Sequence, residues 1–252
     1  MENAERRSQN VALANFVNLA SAFPTLSAQL DVSILSSTKS FEAIFDTSSS
    51  SWAWAHDLSM ASRLAVGKGE LASPLSYGEI LPESVFNVMH TIKTRHTVNP
   101  CPSARQVVYD LGSGSGRALF AACLSYPFAE AHGIEFLPAL HANALQNLEI
   151  WRRKEVETNA PPLTEFFFEC TDIARINKLD PNPTLLLCHA TLFDDDLFAC
   201  VQIIAENCDV GTTFAMVTKA LGTGLDTGIE TLGSQQCEMT WGGTTVFTQR
   251  RV

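Results

Sequence analysis

From residue 106 to the end of the chain, short apolar runs of strand length alternate with longer stretches whose apolar positions recur at helical spacing. The pattern predicts strands over 106–111, 131–135, 165–170, 184–188 and 212–218, with helices over 117–124, 139–154 and 195–206. A closing pair of strands, 237–241 and 244–249, flanks Gly242-Gly243, and a two-residue glycine turn suits the twist of an antiparallel hairpin. Alternation of this kind predicts an α/β fold, a mostly parallel Rossmann-like sheet with helices on both faces.

The first hundred residues read differently. Val11, Leu13, Phe16, Val17, Leu19 and Ala20 recur at mixed spacings of 3 and 4 before Pro24, so residues 10–35 suggest short helices. Phe41, Ile44 and Phe45 suggest another. A serine-rich loop over 47–51 precedes Trp52 and Trp54, which are expected to anchor this extension on the core. After Pro74, an amphipathic helix over 82–92 presents Val85, Phe86, Val88, Met89 and Ile92. Asn99-Pro100-Cys101-Pro102 is the clearest linker, because two prolines in three residues forbid continued helix. The expected organisation is a helical N-terminal extension, 1–72, and a catalytic domain, 73–252.

Composition narrows the partners. The 252 residues carry 17 Lys and Arg against 27 Asp and Glu, a net charge of −10, with most of the excess acid after position 101. No strong autonomous binding to nucleic acid is expected of such a chain, and a basic protein partner suits it better. Seven cysteines form no Cys-x-x-Cys pair and read as reduced thiols of a cytosolic or nuclear protein. Arg6-Arg7 before an apolar stretch imitates a signal peptide, but Asn15 and Asn18 interrupt it. No stretch approaches the roughly 20 apolar residues that cross a bilayer, and no membrane partner is expected.

The chemistry concentrates where strand 106–111 ends. Asp110-Leu111 is followed by Gly112, Gly114 and Gly116, then Arg117 at the start of a helix. A glycine turn lets the backbone approach a ligand closely. Dinucleotide sites space their glycines Gly-x-Gly-x-x-Gly, whereas here the spacing is Gly-x-Gly-x-Gly with an acid two residues ahead. An acid there meets the ammonium of a methionine moiety but sits badly beside a pyrophosphate, so the turn favours S-adenosylmethionine (SAM) over NAD. Glu135 closes the next strand, where a carboxylate can accept both ribose hydroxyls. Asp172, past strand 165–170, can accept from the adenine amine or cap the next helix. His189 ends a strand at the ligand-binding edge of an open α/β sheet. Asp194-Asp195-Asp196 reads as a helix start and not as a metal site.

Several passages together resemble the disruptor of telomeric silencing (Dot) type histone H3 lysine methyltransferases, which lack a SET domain and use the class I SAM-dependent fold. Ser73-Pro74-Leu75-Ser76-Tyr77-Gly78-Glu79 is similar to that family's Ser-Pro-x-x-Tyr-Gly-Glu loop, and the run from Asp110 to Gly116 to its Asp-Leu-Gly-Ser-Gly-x-Gly. Glu135 and Thr171-Asp172-Ile173 fall where the family has its ribose acid and Gly-Asp-Phe, and Thr240-Trp241-Gly242-Gly243 resembles its Ser-Trp-Thr-Gly turn. The resemblance spans roughly residues 73–250. It implies a nuclear enzyme that takes histone H3 or the nucleosome as substrate. It also implies a cofactor site that includes Tyr77, Glu79, Arg117, Asp172, Ile173 and His189, and an acceptor channel at His189, Trp241, Tyr77 and Phe193. The chain departs from the family at Arg117, commonly Gln, at Ile173, where an aromatic is expected, and at His189-Ala190-Thr191-Leu192-Phe193, which replaces Asn-Asn-Phe-Ala-Phe. Those departures leave open methylation of a non-histone protein or small molecule, or a SAM-binding subunit without turnover.

Overall fold

The computed structural model describes residues 36–45, 57, 59, 78–95, 105–158 and 164–252. The expected helices over 10–35, the loop 47–51, Trp52, Trp54, Tyr77, the linker 99–102 and the domain boundary near 72 lie outside the described residues.

Five parallel strands and a terminal hairpin form one sheet in the order β3-β2-β1-β4-β5-β7-β6. β1 (Val107–Leu111), β2 (Glu130–Glu135), β3 (Glu165–Cys170), β4 (Leu185–His189) and β5 (Thr213–Val217) are parallel, while β7 (Gly242–Arg251) runs antiparallel to β5 and to β6 (Ile229–Met239). This is the mostly parallel α/β sheet with an antiparallel C-terminal hairpin that the sequence predicts. β1 and β5 are buried along their whole length, as central strands covered on both faces must be.

Alternate strand residues feed two cores. Val108, Leu185, Leu187, Ala215 and Val217 face α1 (Pro82–Arg95), α2 (Arg117–Ser125) and α3 (Pro138–Thr158), with Phe41 and Phe45 from the helical stretch 36–45 packed against them. Val107, Tyr109, Leu111, Leu186, Cys188, Phe214 and Met216 face α4 (Asp195–Glu206). α4 starts where three successive acids predict it, since the Leu197 N–H donates to Asp194 Oδ1 at 2.9 Å and Asp195 and Asp196 occupy the first turn.

The hairpin corrects one expectation. Met239 pairs with Gly242, so the two turn residues are Thr240 and Trp241, and Gly242-Gly243 open β7. Tertiary anchoring sets this position. The Trp241 indole packs against Gly78, where an added Cβ would come within 2.1 Å of it, and the Thr240 N–H donates to the Glu79 carbonyl at 2.9 Å. β6 also begins eight residues before the predicted strand, because Gly233, Ser234, Gln235 and Gln236 have weak strand preference and are carried by pairing with β7.

Candidate functional site

The turn after β1 is strung over the end of β2. The N–H groups of Gly112 and Ser113 both donate to the Ile134 carbonyl, at 2.8 and 3.0 Å, and the Gly114 N–H donates to Glu135 Oε2 at 2.9 Å. Glu135 Oε1 accepts from the Leu137 N–H at 2.7 Å, which fixes the carboxylate at the turn. Gly116 caps α2 in the left-handed region, at φ +79°, and a Cβ there would stand 2.8 Å from the Phe168 ring. Gly112 is likewise left-handed at φ +80°, with the Phe193 ring 3.1 Å from where a Cβ would be. Both positions therefore need glycine for conformation and for space.

Asp110 stands at the centre of this turn and is 1% exposed. Its Oδ1 has no hydrogen-bond partner among the described residues. Burial foremost, then the charges of Glu135 and Glu79, push its pKa up to about 8. Glu79 is itself 8% exposed and accepts from the Ser115 hydroxyl, while its Oε2 lies 3.6 Å from Arg117 Nη1. Three carboxylates thus surround the turn with one buried guanidinium beside them, an imbalance that favours a cationic ligand group.

Glu79 reaches the turn because the residues before α1 are sewn to the hairpin. The Leu81 N–H donates to the Glu238 carbonyl at 3.0 Å, the Glu79 N–H to Thr240 Oγ1 at 3.2 Å, and Ile80 bridges Met239. The structure therefore gathers Glu79, Asp110, Gly112, Gly114, Gly116, Arg117 and Glu135 into one cradle, with Trp241 on its Glu79 side. Ser115 and Asn147, whose Nδ2 donates to the Ser115 carbonyl at 2.9 Å, belong to the same support. Sequence reasoning missed both; a polar residue on the buried face of α3 was the available signal for Asn147.

Other predicted residues border the cradle. Thr171 follows β3 and donates its N–H to the Glu135 carbonyl at 3.0 Å, which sets Asp172 near the end of β2. Asp172 caps a short 3-10 turn through the Ala174 N–H at 3.0 Å, and Ile173 is 5% exposed within the α4-side core. His189 ends β4 beside the turn, partly buried, and its ring makes no hydrogen bond among the described residues. Burial pulls its pKa down to about 4, so the ring is neutral at physiological pH. Phe193 is held over Gly112 by Lys219, whose Nζ donates to the Phe193 carbonyl at 2.6 Å. Thr191, Thr218 and Thr244 link by hydroxyl bonds of 2.7 and 2.9 Å at the same sheet edge, and Thr218 sits at φ +73°, costly for a β-branched residue. No group of three or more His, Cys, Asp or Glu among the described residues is arranged to hold a metal.

No protein-family model and no curated protein sequence matches the chain. Solved structures similar to it include a SAM-dependent methyltransferase from Geobacter sulfurreducens in complex with S-adenosyl-L-homocysteine, 11% identical with a TM-score of 0.48, covering 78% of this chain and 98% of that one. A putative RNA methyltransferase from Pyrococcus horikoshii is 11% identical with a TM-score of 0.46, covering 68% and 83%. Magnesium protoporphyrin IX methyltransferase from Synechocystis PCC 6803, with bound SAM, is 14% identical with a TM-score of 0.43, covering 76% and 91%.

Proposed function

We propose that this protein is a SAM-dependent methyltransferase, and that its acceptor is a lysine in the globular core of histone H3 within the nucleosome, which makes it a nuclear chromatin regulator. The observation that carries the first half is Asp110: a carboxylate 1% exposed, with an oxygen left without a partner, inside a left-handed glycine turn. An orphaned buried acid costs free energy unless a cation meets it. The residues fit SAM: Asp110 would meet the amino-acid ammonium, Glu135 the ribose hydroxyls, and Asp172, through the oxygen its cap does not use, the adenine amine. Bound there, the cofactor supplies a methyl group on a sulfonium, a donor that needs no metal.

The chain's own residues then align and shield the acceptor. Phe193 over Gly112 and Trp241 on Gly78 are apolar walls that keep water from the reacting pair. His189, neutral above about pH 4, puts no positive charge in the way of an approaching amine. A lysine with a reference pKa of about 10.4 loses its proton more readily in such an apolar setting, because desolvation disfavours the ammonium. Support for the histone acceptor is the resemblance over residues 73–250 and the charge of −10, which draws basic proteins in.

Incubation with methyl-tritiated SAM tests both halves against nucleosomes, free histones and a cell extract. Label in histone H3 is the expected result. Label confined to another protein or a small metabolite would overturn the acceptor and keep the reaction, and tight SAM binding without label anywhere would overturn catalysis.

A further inference from the structure

A groove of about 560 Å³ lies along β3, the last strand of the sheet, away from the cradle. Its origin is topological. The crossover from β3 to β4 holds a three-residue 3-10 turn, Ile173–Arg175, where a parallel connection ordinarily places a helix. α4 covers the middle of that face, and the sheet toward β3 carries a ladder of rings instead. Tyr109, His132 and Phe167 sit opposite one another on β1, β2 and β3, stacked at 4.4 and 4.8 Å with planes 11° and 17° apart. Tyr109 is buried, and Phe167 at the outer end is 42% exposed.

The edge is also open along its backbone. Glu165 and Thr171 turn their N–H groups inward, to the carbonyls of Ala129 and Glu135. Strand alternation then points the N–H and C=O groups of Phe166, Phe168 and Cys170 outward, where no described residue pairs with them. Charge at the rim is uneven. Arg105 is engaged with Glu130 and Glu165, and Arg152 with Glu149. His132 bonds Glu130 at 2.9 Å, and burial lowers its pKa. Glu169 and Asp180 are exposed, and their carboxylates make neither hydrogen bond nor ion pair among the described residues. Both lie close enough to Tyr109 to add to the burial that pushes its pKa up to about 12.

From the open backbone edge, the bare ring and the two uncommitted carboxylates, we infer that β3 is a docking strip for an extended, arginine- or lysine-bearing segment of a partner protein. The segment adds as an eighth strand, and a cationic side chain lies on the outer face of Phe167 between Glu169 and Asp180. The proposal does not depend on methyl transfer, and its test uses no cofactor.

The probe is a synthetic peptide of four Arg-Thr repeats, with four Glu-Thr repeats as control, added to the full chain while amide hydrogen exchange and affinity are followed. The Arg-Thr peptide is expected to slow exchange at Phe166, Phe168 and Cys170. Phe167→Ala weakens binding by about fivefold, the share of one partly exposed cation–π contact. The double variant E169Q and D180N, which leaves the rings in place, weakens it further and flattens its salt dependence. Unchanged exchange at saturating peptide, equal binding of the Glu-Thr control, or protection that grows with protein concentration alone would overturn the proposal, the last by assigning the edge to a second copy of this chain.

Discussion

Replacing Asp110 with asparagine separates stability from ligand binding, because the change keeps the shape of the side chain and removes its charge. The carboxyl titrates near 3.8 in the unfolded chain and near 8 in the folded one. Across that window the folded state holds a proton that the unfolded state has lost, so stability is whole below about pH 4 and declines as pH rises. Each pH unit removes about 1.4 kcal/mol, which gives a ceiling of ~4 kcal/mol by pH 7. Asp110→Asn escapes that loss but buries an amide without a partner, at about 1–3 kcal/mol. The balance leaves the variant roughly 1–3 kcal/mol more stable at pH 7, or about 3–8 °C in Tm for a chain of this size. The same variant loses the charge-assisted bond to an ammonium, so affinity for S-adenosylhomocysteine falls about ten- to hundredfold. Scanning calorimetry from pH 4.5 to 8 and a binding titration at pH 7 read both effects. A Tm gap that ignores pH or widens toward acid, or an unchanged affinity, would refute the reasoning.

Three further outcomes follow from the same geometry. Gly116→Ala forces a Cβ into the Phe168 ring at φ +79°, and is expected to destabilise by about 2–3 kcal/mol in chemical denaturation, with Phe168→Leu recovering part of the loss. His189 has a folded pKa below its unfolded value, so the wild type loses stability as pH falls from about 6.5 toward 4, and His189→Gln flattens that limb of the melting curve. Glu79→Gln weakens the pairing with Arg117 and is expected to raise the Kd for S-adenosylhomocysteine about three- to tenfold with little change in melting, since the backbone bonds to Thr240 remain.

How much of this was legible in the sequence depends on what decides each element. β3 and α4 fall where the apolar pattern and the three acids put them, since burial and capping are local signals. The hairpin turn was misplaced because packing of Trp241 on Gly78, distant in sequence, outweighs the glycine pair beside it. In the site, the spacing of Asp110, the glycines and Glu135 fixed the cradle in advance, because each ends or follows a recognisable strand. The roles of Ser115, Asn147 and Lys219 were invisible, since each acts through a contact made only when distant elements meet. Of the two readings of Asp172, as an acceptor for the adenine amine or as a helix cap, the structure shows the cap, through the Ala174 N–H.

The central claim is that this turn grips the cationic amino-acid end of a sulfonium cofactor through Asp110. Calorimetric titration of the wild-type protein at pH 7 tests it directly, comparing S-adenosylhomocysteine with methylthioadenosine, which lacks the amino-acid end. One site per chain, at least about tenfold tighter for S-adenosylhomocysteine and with a heat that varies with buffer ionisation because Asp110 gives up its proton, is the predicted result. Equal affinity for the two ligands, or no binding of either, would contradict it.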